Sequence, residues 1–340
     1  MIHNEKGIAL IIVLWVLTLL TVIAGQFCYS MRTEITITKN FRDETTGYYL
    51  ARAGITEAMA RIIAQQEEQT RPRPRQPMRQ PKDASPAEEQ PWRVNAEIPP
   101  VNLGDGFFSV RIDNESGKFN INLAEAETLR MMLAGFDLSD EERNIIVDSI
   151  RDWRDKDTFH RTNGAEDDYY MSLPQPYRCT NGPFRSINEL LLVRGVTREL
   201  FDRGLKDIVT IHADPVDTAK NKRPGWEANR KRESIQKINI NAASVQVLRS
   251  LPNMTDEAVA AIIEYRRDKD ILSKTELYSL IARELYSTLA PMITTEYSSY
   301  YTITATGWQH GATIKPTLAA LVQFPQKGGF RIIQWLDYVE

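Results

Sequence analysis

From Ile8 to Phe27 the chain is an almost uninterrupted apolar run, and this segment constrains the architecture more than any other. It is about 20 residues long, the length an α-helix needs to cross a bilayer core. Its only polar side chains are Thr18, Thr21 and Gln26, none of them charged, and Arg32 follows just after it ends. Residues 8–28 are therefore expected to form a transmembrane helix, with the rest of the protein attached to its far end.

A secretory signal peptide would have a shorter apolar centre and a small-residue cleavage site beyond it. Here the small residue comes first, as Lys6-Gly7 ahead of Ile8-Ala9-Leu10-Ile11-Ile12. That start resembles the processing site of type IV prepilins and pseudopilins. The resemblance implies removal of a leader, residues 1–7, and a mature chain beginning at Ile8. An ordinary single-pass anchor with a short cytoplasmic tail gives the same pattern. In both cases the charged leader stays inside and the bulk crosses. Most of that superfamily carries a glutamate at the fifth mature position, thought to pair with a neighbouring N-terminal amine; here the position is Ile12. A membrane carboxylate is costly unless paired, so its absence removes both a cost and a docking device.

The net charge of −3 spread over 340 residues gives no global basic field, which disfavours nucleic acid as a partner. The two cysteines, Cys28 and Cys179, do not form a disulfide framework. Met31 to Gln66 keeps apolar residues at helical spacing (Ile35, Phe41, Tyr48, Leu50, Ile55, Ala58, Met59, Ile62, Ile63). One long helix, half in lipid and half packed on a globular domain, is expected, with Gly47 and Gly54 as bends, close-packing points or merely tolerated residues. Residues 67–100, rich in Pro, Gln, Glu and Arg, read as a flexible loop.

Gly106 to Asp113 alternates as a strand, and Tyr300–Thr306, Thr313–Phe324 and Phe330–Tyr338 read as three more, with Gly307, Gly311 and Gly328-Gly329 supplying turns. Between them nearly everything is helical in pattern. The fold class is α+β: an N-terminal pilin-like long helix packed on a small antiparallel sheet, with a large all-α insertion. The pilin-like part is discontinuous, 29–113 and 298–340, and the insertion covers 114–297.

The insertion repeats itself. Lys118-Phe119-Asn120-Ile121-Asn122-Leu123-Ala124 recurs as Lys237-Ile238-Asn239-Ile240-Asn241-Ala242-Ala243, defining a first repeat, 118–211, and a second, 237–297. Ile150–Asp157 aligns with Ile263–Asp270, and Ser186–Leu190 with Ser273–Leu277. Asn122 and Asn241 are placed as helix N-caps. The units resemble helix-hairpin-helix or SAM-like modules. Their hairpin turns lack the glycines that bring backbone amides to a phosphate, and the first carries Asp137, Asp140, Glu141 and Glu142 there instead. Protein contact is the better reading, with a membrane-anchored DNA-binding protein as the alternative.

Only the first repeat has an acidic loop. Asp152, Asp155, Asp157, Glu166, Asp167 and Asp168 fall within 17 positions, around Asn163-Gly164. Such a density of like charge requires solvation, counterions or a cation. Calcium is the first choice because it takes six to eight oxygen ligands in irregular geometry. The competing reading is a solvated loop with Arg154, Lys156, Arg161 and Arg178 as counterions. Three isolated histidines outside the leader (His160, His212, His310), with no nucleophile elbow or phosphate loop, give catalysis no positive support.

Together, the prepilin-like start with Ile12, the split sheet and the duplicated insertion with Gly164-Ala165-Glu166-Asp167 resemble the protein K family of the general (type II) secretion pathway, the large minor pseudopilins. The resemblance implies an inner-membrane, single-pass subunit, processed between Gly7 and Ile8 by prepilin peptidase, with its bulk in the periplasm. It also implies a pseudopilus tip formed with two smaller minor pseudopilins of the I and J type, contacts with the major pseudopilin and the inner-membrane platform, and calcium in the helical domain.

Overall fold

The computed structural model describes residues 5–70, 92–212, 214, 236–325 and 328–338. Helix α1 (Glu5–Thr70) is continuous for 66 residues, about 100 Å at 1.5 Å per residue. Its side chains are exposed from Ala9 to Lys39, including Ile35 and Ile37. Burial sets in at Asp43 and then follows one helical face: Ala51, Ile55, Ala58, Met59 and Ile62. The helix is thus long and apolar enough to cross a membrane over its first part and amphipathic over its second. Phe41 belongs to the exposed part, not to the packed face assigned to it from spacing.

That face lies on a five-stranded antiparallel sheet of order β1-β2-β7-β8-β9. Its strands are β1 (Val101–Leu103), β2 (Gly106–Asn114), β7 (Tyr300–Gln309), β8 (Thr317–Gln323) and β9 (Arg331–Leu336). Phe108, Val110 and Ile112 of β2, Tyr301, Ile303 and Ala305 of β7, and Leu318, Ala320 and Val322 of β8 meet α1 in one buried cluster. Strand β2 pairs with β7 from Gly106↔Gln309 to Asn114↔Tyr301, so two strands distant in sequence are neighbours and everything between them is inserted.

Four expectations are corrected by the fold. Gly307 is not a turn residue but lies inside β7, where a Cβ would stand 2.2 Å from the Gly47 carbonyl oxygen and 2.4 Å from the Ala51 nitrogen. Gly47 is equally confined, by Gly307 O and Pro316; the pair lets helix and sheet touch backbone to backbone. Strand β8 begins at Thr317 rather than Thr313, after Pro316, which has no amide to donate. Strand β1 is an addition to the expected sheet; it pairs with β2 across the Gly104-Asp105 turn, with Gly104 at φ +60°. Within residues 67–100, assigned as a flexible loop, α1 runs on to Thr70 and Trp92 is buried against α1. Residues 71–91 lie outside the described residues.

We expect Gly307→Ala to destabilise the pilin-like module by about 3 kcal/mol, at the upper end of overpacking costs because the obstacle is backbone. Urea unfolding should report this as a lower midpoint, whereas Gly311→Ala, with open space at its Cβ but φ +72°, should cost about 1 kcal/mol.

The insertion has its own core. Its elements are β3 (Phe119–Asn120), α2 (Ala126–Leu133), α3 (Asp140–Arg154), α4 (Asp167–Met171), α5 (Arg198–Leu200), α6 (Lys206–Ile208) and β4 (Val209–Thr210). They continue as β5 (Ile238–Asn239), α7 (Val245–Ser250), α8 (Asp256–Asp268), α9 (Lys274–Leu280), α10 (Arg283–Leu289) and β6 (Ile293–Thr294). Phe119, Leu129, Met132, Ile146, Ile150, Trp153 and Tyr170 share one buried cluster with Ile238, Ile240, Val247, Leu248, Ile262 and Leu289.

Candidate functional site

Each half of the insertion is closed by a short parallel bridge, β3 with β4 and β5 with β6, and the two halves repeat the same polar bonds. Asn120 Oδ1 accepts from Asn122 N and Asn239 Oδ1 from Asn241 N, both at 2.9 Å. Arg154 donates to the Ile121 and Ala124 carbonyls, as Arg266 does to those of Ile240 and Ala243. Ser186 and Ser273 cap the turns that follow, through Asn188 N and Glu276 N respectively. Two readings change. Arg154 matches Arg266, so the repeat aligns one residue away from the Ile150–Ile263 register. Asn122 and Asn241 cap no helix: each exchanges two bonds with a distant backbone, Asn122 with Phe184 and Asn241 with Ile271. The caps of α2 and α7 are Glu125 and Ser244.

The acidic loop grows out of the C-terminus of α3. This helix starts with a capping box at Ser139 and Glu142 and ends by burying Trp153 between the Phe184 ring, stacked at 6.2 Å, and the Tyr170 ring, edge-on at 5.2 Å. The chain then passes Asp155 and Asp157, turns at Arg161–Gly164, and returns into α4 at Glu166. The turn is pinned by Asp148, which accepts from Asn163 N and Nδ2, and by Arg194, which donates to the Gly164 carbonyl at 3.0 Å.

Of the six predicted ligands the structure brings three together. One carboxylate oxygen each from Asp155, Asp157 and Glu166 lie within 4.8 Å of one another. Opposite oxygens around a calcium ion at 2.3–2.6 Å stand about 5 Å apart, so the spacing fits a common ion. The donors are all hard carboxylate oxygens, a set for calcium or magnesium rather than zinc. Glu166 is 2% exposed, yet neither of its carboxylate oxygens has a hydrogen-bond partner, and Asp155 Oδ1 is equally without one. Burial, then the charges of Asp152, Asp155, Asp157 and Asp167, pushes the Glu166 carboxyl up to about 7. A buried, unpartnered carboxylate among other carboxylates calls for a cation.

The other three do different work. Asp152 is fully buried and paired with Arg161, which also donates to Asp155 Oδ2 at 2.6 Å; burial raises its carboxyl pKa against those bonds. Asp167 Oδ1 accepts from Cys179 N at 2.7 Å, and exposed Asp168 from Tyr169 N at 2.8 Å. Arg161 therefore serves as the counterion for part of the loop, Arg154 donates to the Ile121 and Ala124 carbonyls instead, and the Glu166 carboxylate has no hydrogen-bond partner.

A long helix on an antiparallel sheet, interrupted by a helical insertion, is a pilin-like arrangement. Residues 111–214 match the family model described as type II secretion system (T2SS), protein K. The chain is 25% identical over 288 residues to the type II secretion system protein K of Pseudomonas aeruginosa, covering 81% of this chain and 76% of that one. It is 27% identical over 220 residues to that of Aeromonas hydrophila (59% and 62%) and 34% over 103 residues to that of Pectobacterium carotovorum (30% and 31%). The matches thus span about a third of the Pectobacterium protein and under two thirds of the Aeromonas protein. In three dimensions the chain resembles a crystal structure of the GspK-GspI-GspJ complex from the enterotoxigenic Escherichia coli type 2 secretion system. The TM-score is 0.54 at 16% identity, over 92% of this chain and 100% of that one. The chain is thus similar to type II secretion system K proteins, by family model over residues 111–214 and by pairwise identity over longer stretches. These matches give the DNA-binding reading no support.

Proposed function

We propose that this protein is the minor pseudopilin that starts and caps the pseudopilus. The observation that carries this reading is the position of the insertion. It leaves the sheet at Asn114 and Ser298, which are bonded to each other, with Ser298 beside Ile62 and Gln65 of α1, about 51–56 Å along the helix from the end of the membrane run at Cys28. A body this wide at the upper end of a thin rod blocks the addition of another subunit above it. Ile12, in place of the usual glutamate, removes the group that would engage such a subunit.

In this reading α1 is held in the inner membrane with its N-terminus cytoplasmic and the bulk of the chain periplasmic. Prepilin peptidase cleaves between Gly7 and Ile8. Two smaller pseudopilins of the I and J type complete the tip, a composition supported by the solved complex, which joins GspK to GspI and GspJ. The major pseudopilin and the inner-membrane platform contact that tip in turn. The insertion is a duplicated helix-hairpin-helix-like unit used for protein contact. N-terminal sequencing of the membrane-extracted protein should begin at Ile8; a chain still carrying Lys6-Gly7 in cells with active peptidase contradicts the reading.

Asp155, Asp157 and Glu166 would hold a structural calcium ion, which supplies the positive charge that the buried carboxylates lack. The chain's own residues build the cradle: Arg161 neutralises Asp152, and Asn163 and Arg194 hold the loop backbone in place.

A pH dependence follows. Glu166 titrates at about 7 in the folded chain against 4.5 for a free carboxyl. The folded state holds the extra proton, so in chelator this stabilising contribution is complete below about pH 4.5 and is lost as pH rises through about 7. In chelator, melting temperatures should fall between about pH 5 and pH 8, and either calcium or Glu166→Gln should flatten that slope. A slope unchanged in Glu166→Gln contradicts the assignment.

A further inference from the structure

The insertion is joined to the pilin-like module by two chain crossings that lie side by side. Asn114 Nδ2 donates to the Ser298 carbonyl at 2.9 Å, and Ser298 N donates to Asn114 Oδ1 at 3.0 Å. Beside them Glu115 accepts from Thr302 Oγ1, Asp214 accepts from Ser299 N, and His212 stacks on Tyr300. All of these contacts fall next to the crossings in the chain, and attachments grouped in this way fix a position more firmly than an angle and make a hinge. An attachment away from the crossings sets the angle.

The turn from Trp92 to Asn95 supplies it. On one side the turn belongs to the pilin-like module: the Trp92 ring is buried there under the Arg61 guanidinium at 4.5 Å, the Trp92 carbonyl accepts from Gln65 Nε2, and Asn95 N donates to the Ile112 carbonyl at 2.9 Å. On the other side its polar side chains reach the second repeat. Arg93 Nη1 donates to Asp270 Oδ1 at 3.0 Å, Arg93 Nη2 to the Arg267 carbonyl at 2.8 Å, and Asn95 Nδ2 to the Asn241 carbonyl at 2.9 Å. The guanidinium thereby sits at the C-terminus of α8, where the helix dipole favours a cation. The ion pair is shielded, with the two side chains 16% and 23% exposed, so screening takes less from it than from a surface pair. Asp270 Oδ2 also accepts from Tyr297 Oη at 3.0 Å, tying this attachment to the residue that precedes the hinge. A cleft of about 690 Å³ opens between the modules beside these groups, lined by Trp92, Arg93, Asp270, Tyr297 and Tyr301.

We propose that the Trp92–Asn95 turn is a latch that fixes the angle of the helical insertion over the pilin-like module, with Arg93 as its positioning residue. The contacts grouped at the hinge set that angle only loosely, and the latch selects one value. Neither Arg93 nor Asn95 contributes to the buried core of either module, so loss of the latch releases the angle without unfolding the parts.

The test uses the full-length protein in nanodiscs with calcium present. Spin labels are placed at exposed Asn102→Cys on β1 and exposed Glu257→Cys on α8 in a Cys28→Ser background, and the distance distribution between them is measured. With the latch intact one narrow population is expected. Arg93→Ala with Asn95→Ala should give a distribution roughly twofold broader or a second population, and Asp270→Ala, cut from the opposite side, should do the same. Arg93→Lys should restore part of the narrow population. Melting of the insertion should stay within about 1 °C of the parent in each variant. An unchanged distribution in both Arg93→Ala/Asn95→Ala and Asp270→Ala overturns the proposal, as does broadening that appears only together with loss of the melting transition.

Discussion

Calcium in hundredfold excess over its dissociation constant is expected to stabilise the folded insertion by about 2.7 kcal/mol. For a module of this size that corresponds to a rise of about 5–10 °C in melting temperature over the chelated protein at equal ionic strength. The effect should depend on the residues that the fold brings together. Glu166→Gln keeps the volume but removes the charge that has no partner in the protein, and it should abolish most of the rise. Asp168→Asn should keep it, because Asp168 is exposed and turned to Tyr169 N. Magnesium should substitute poorly, since it dehydrates reluctantly and demands near-octahedral geometry at shorter distances. Equal melting curves with calcium and with chelator contradict the metal assignment.

The second large effect is expected at Trp153. Its ring is 1% exposed and touches Tyr170, Tyr177 and Phe184, spaced along the segment that follows the acidic loop. Trp153→Ala should cost about 3–5 kcal/mol, combining the lost transfer energy with a cavity that aromatic neighbours fill poorly. Denaturant unfolding of the insertion reports it. Trp153 directly precedes the loop that carries Asp155 and Asp157, so calcium affinity should fall in the same variant. Exposed Phe159, 83% accessible in the same loop, provides the contrast: Phe159→Ala should change stability by less than about 0.5 kcal/mol.

These contrasts show which parts of the molecule were legible in the sequence. The membrane run, the amphipathic continuation of α1 and strand β2 are written in local periodicity, and local periodicity survives folding. The repeat was legible in Asn120-Ile121-Asn122 and Asn239-Ile240-Asn241, because both copies use those side chains for the same bonds. The purpose of Asn122 and Asn241 was not legible, since their partners, Phe184 and Ile271, lie far along the chain. Gly307 looked like a turn because glycine marks turns locally; its reason is the Gly47 backbone across the helix–sheet interface. The acidic cluster was visible as composition. What divides Glu166 from Asp152 is Arg161, and its choice of partner depends on how the loop folds back, which spacing does not encode.

The tip-forming role is tested most directly by co-assembly. The part of this protein beyond the apolar run, residues 29–340, or the full chain in detergent, is to be co-expressed with the two small minor pseudopilins of a type II secretion system and purified through a tag on one of them. The expected result is a stable 1:1:1 complex on size exclusion, with this protein absent from material purified through the major pseudopilin alone. If the two small subunits purify together while this protein, correctly folded by its melting transition, elutes by itself, the proposed role as the subunit that starts and caps the filament is contradicted.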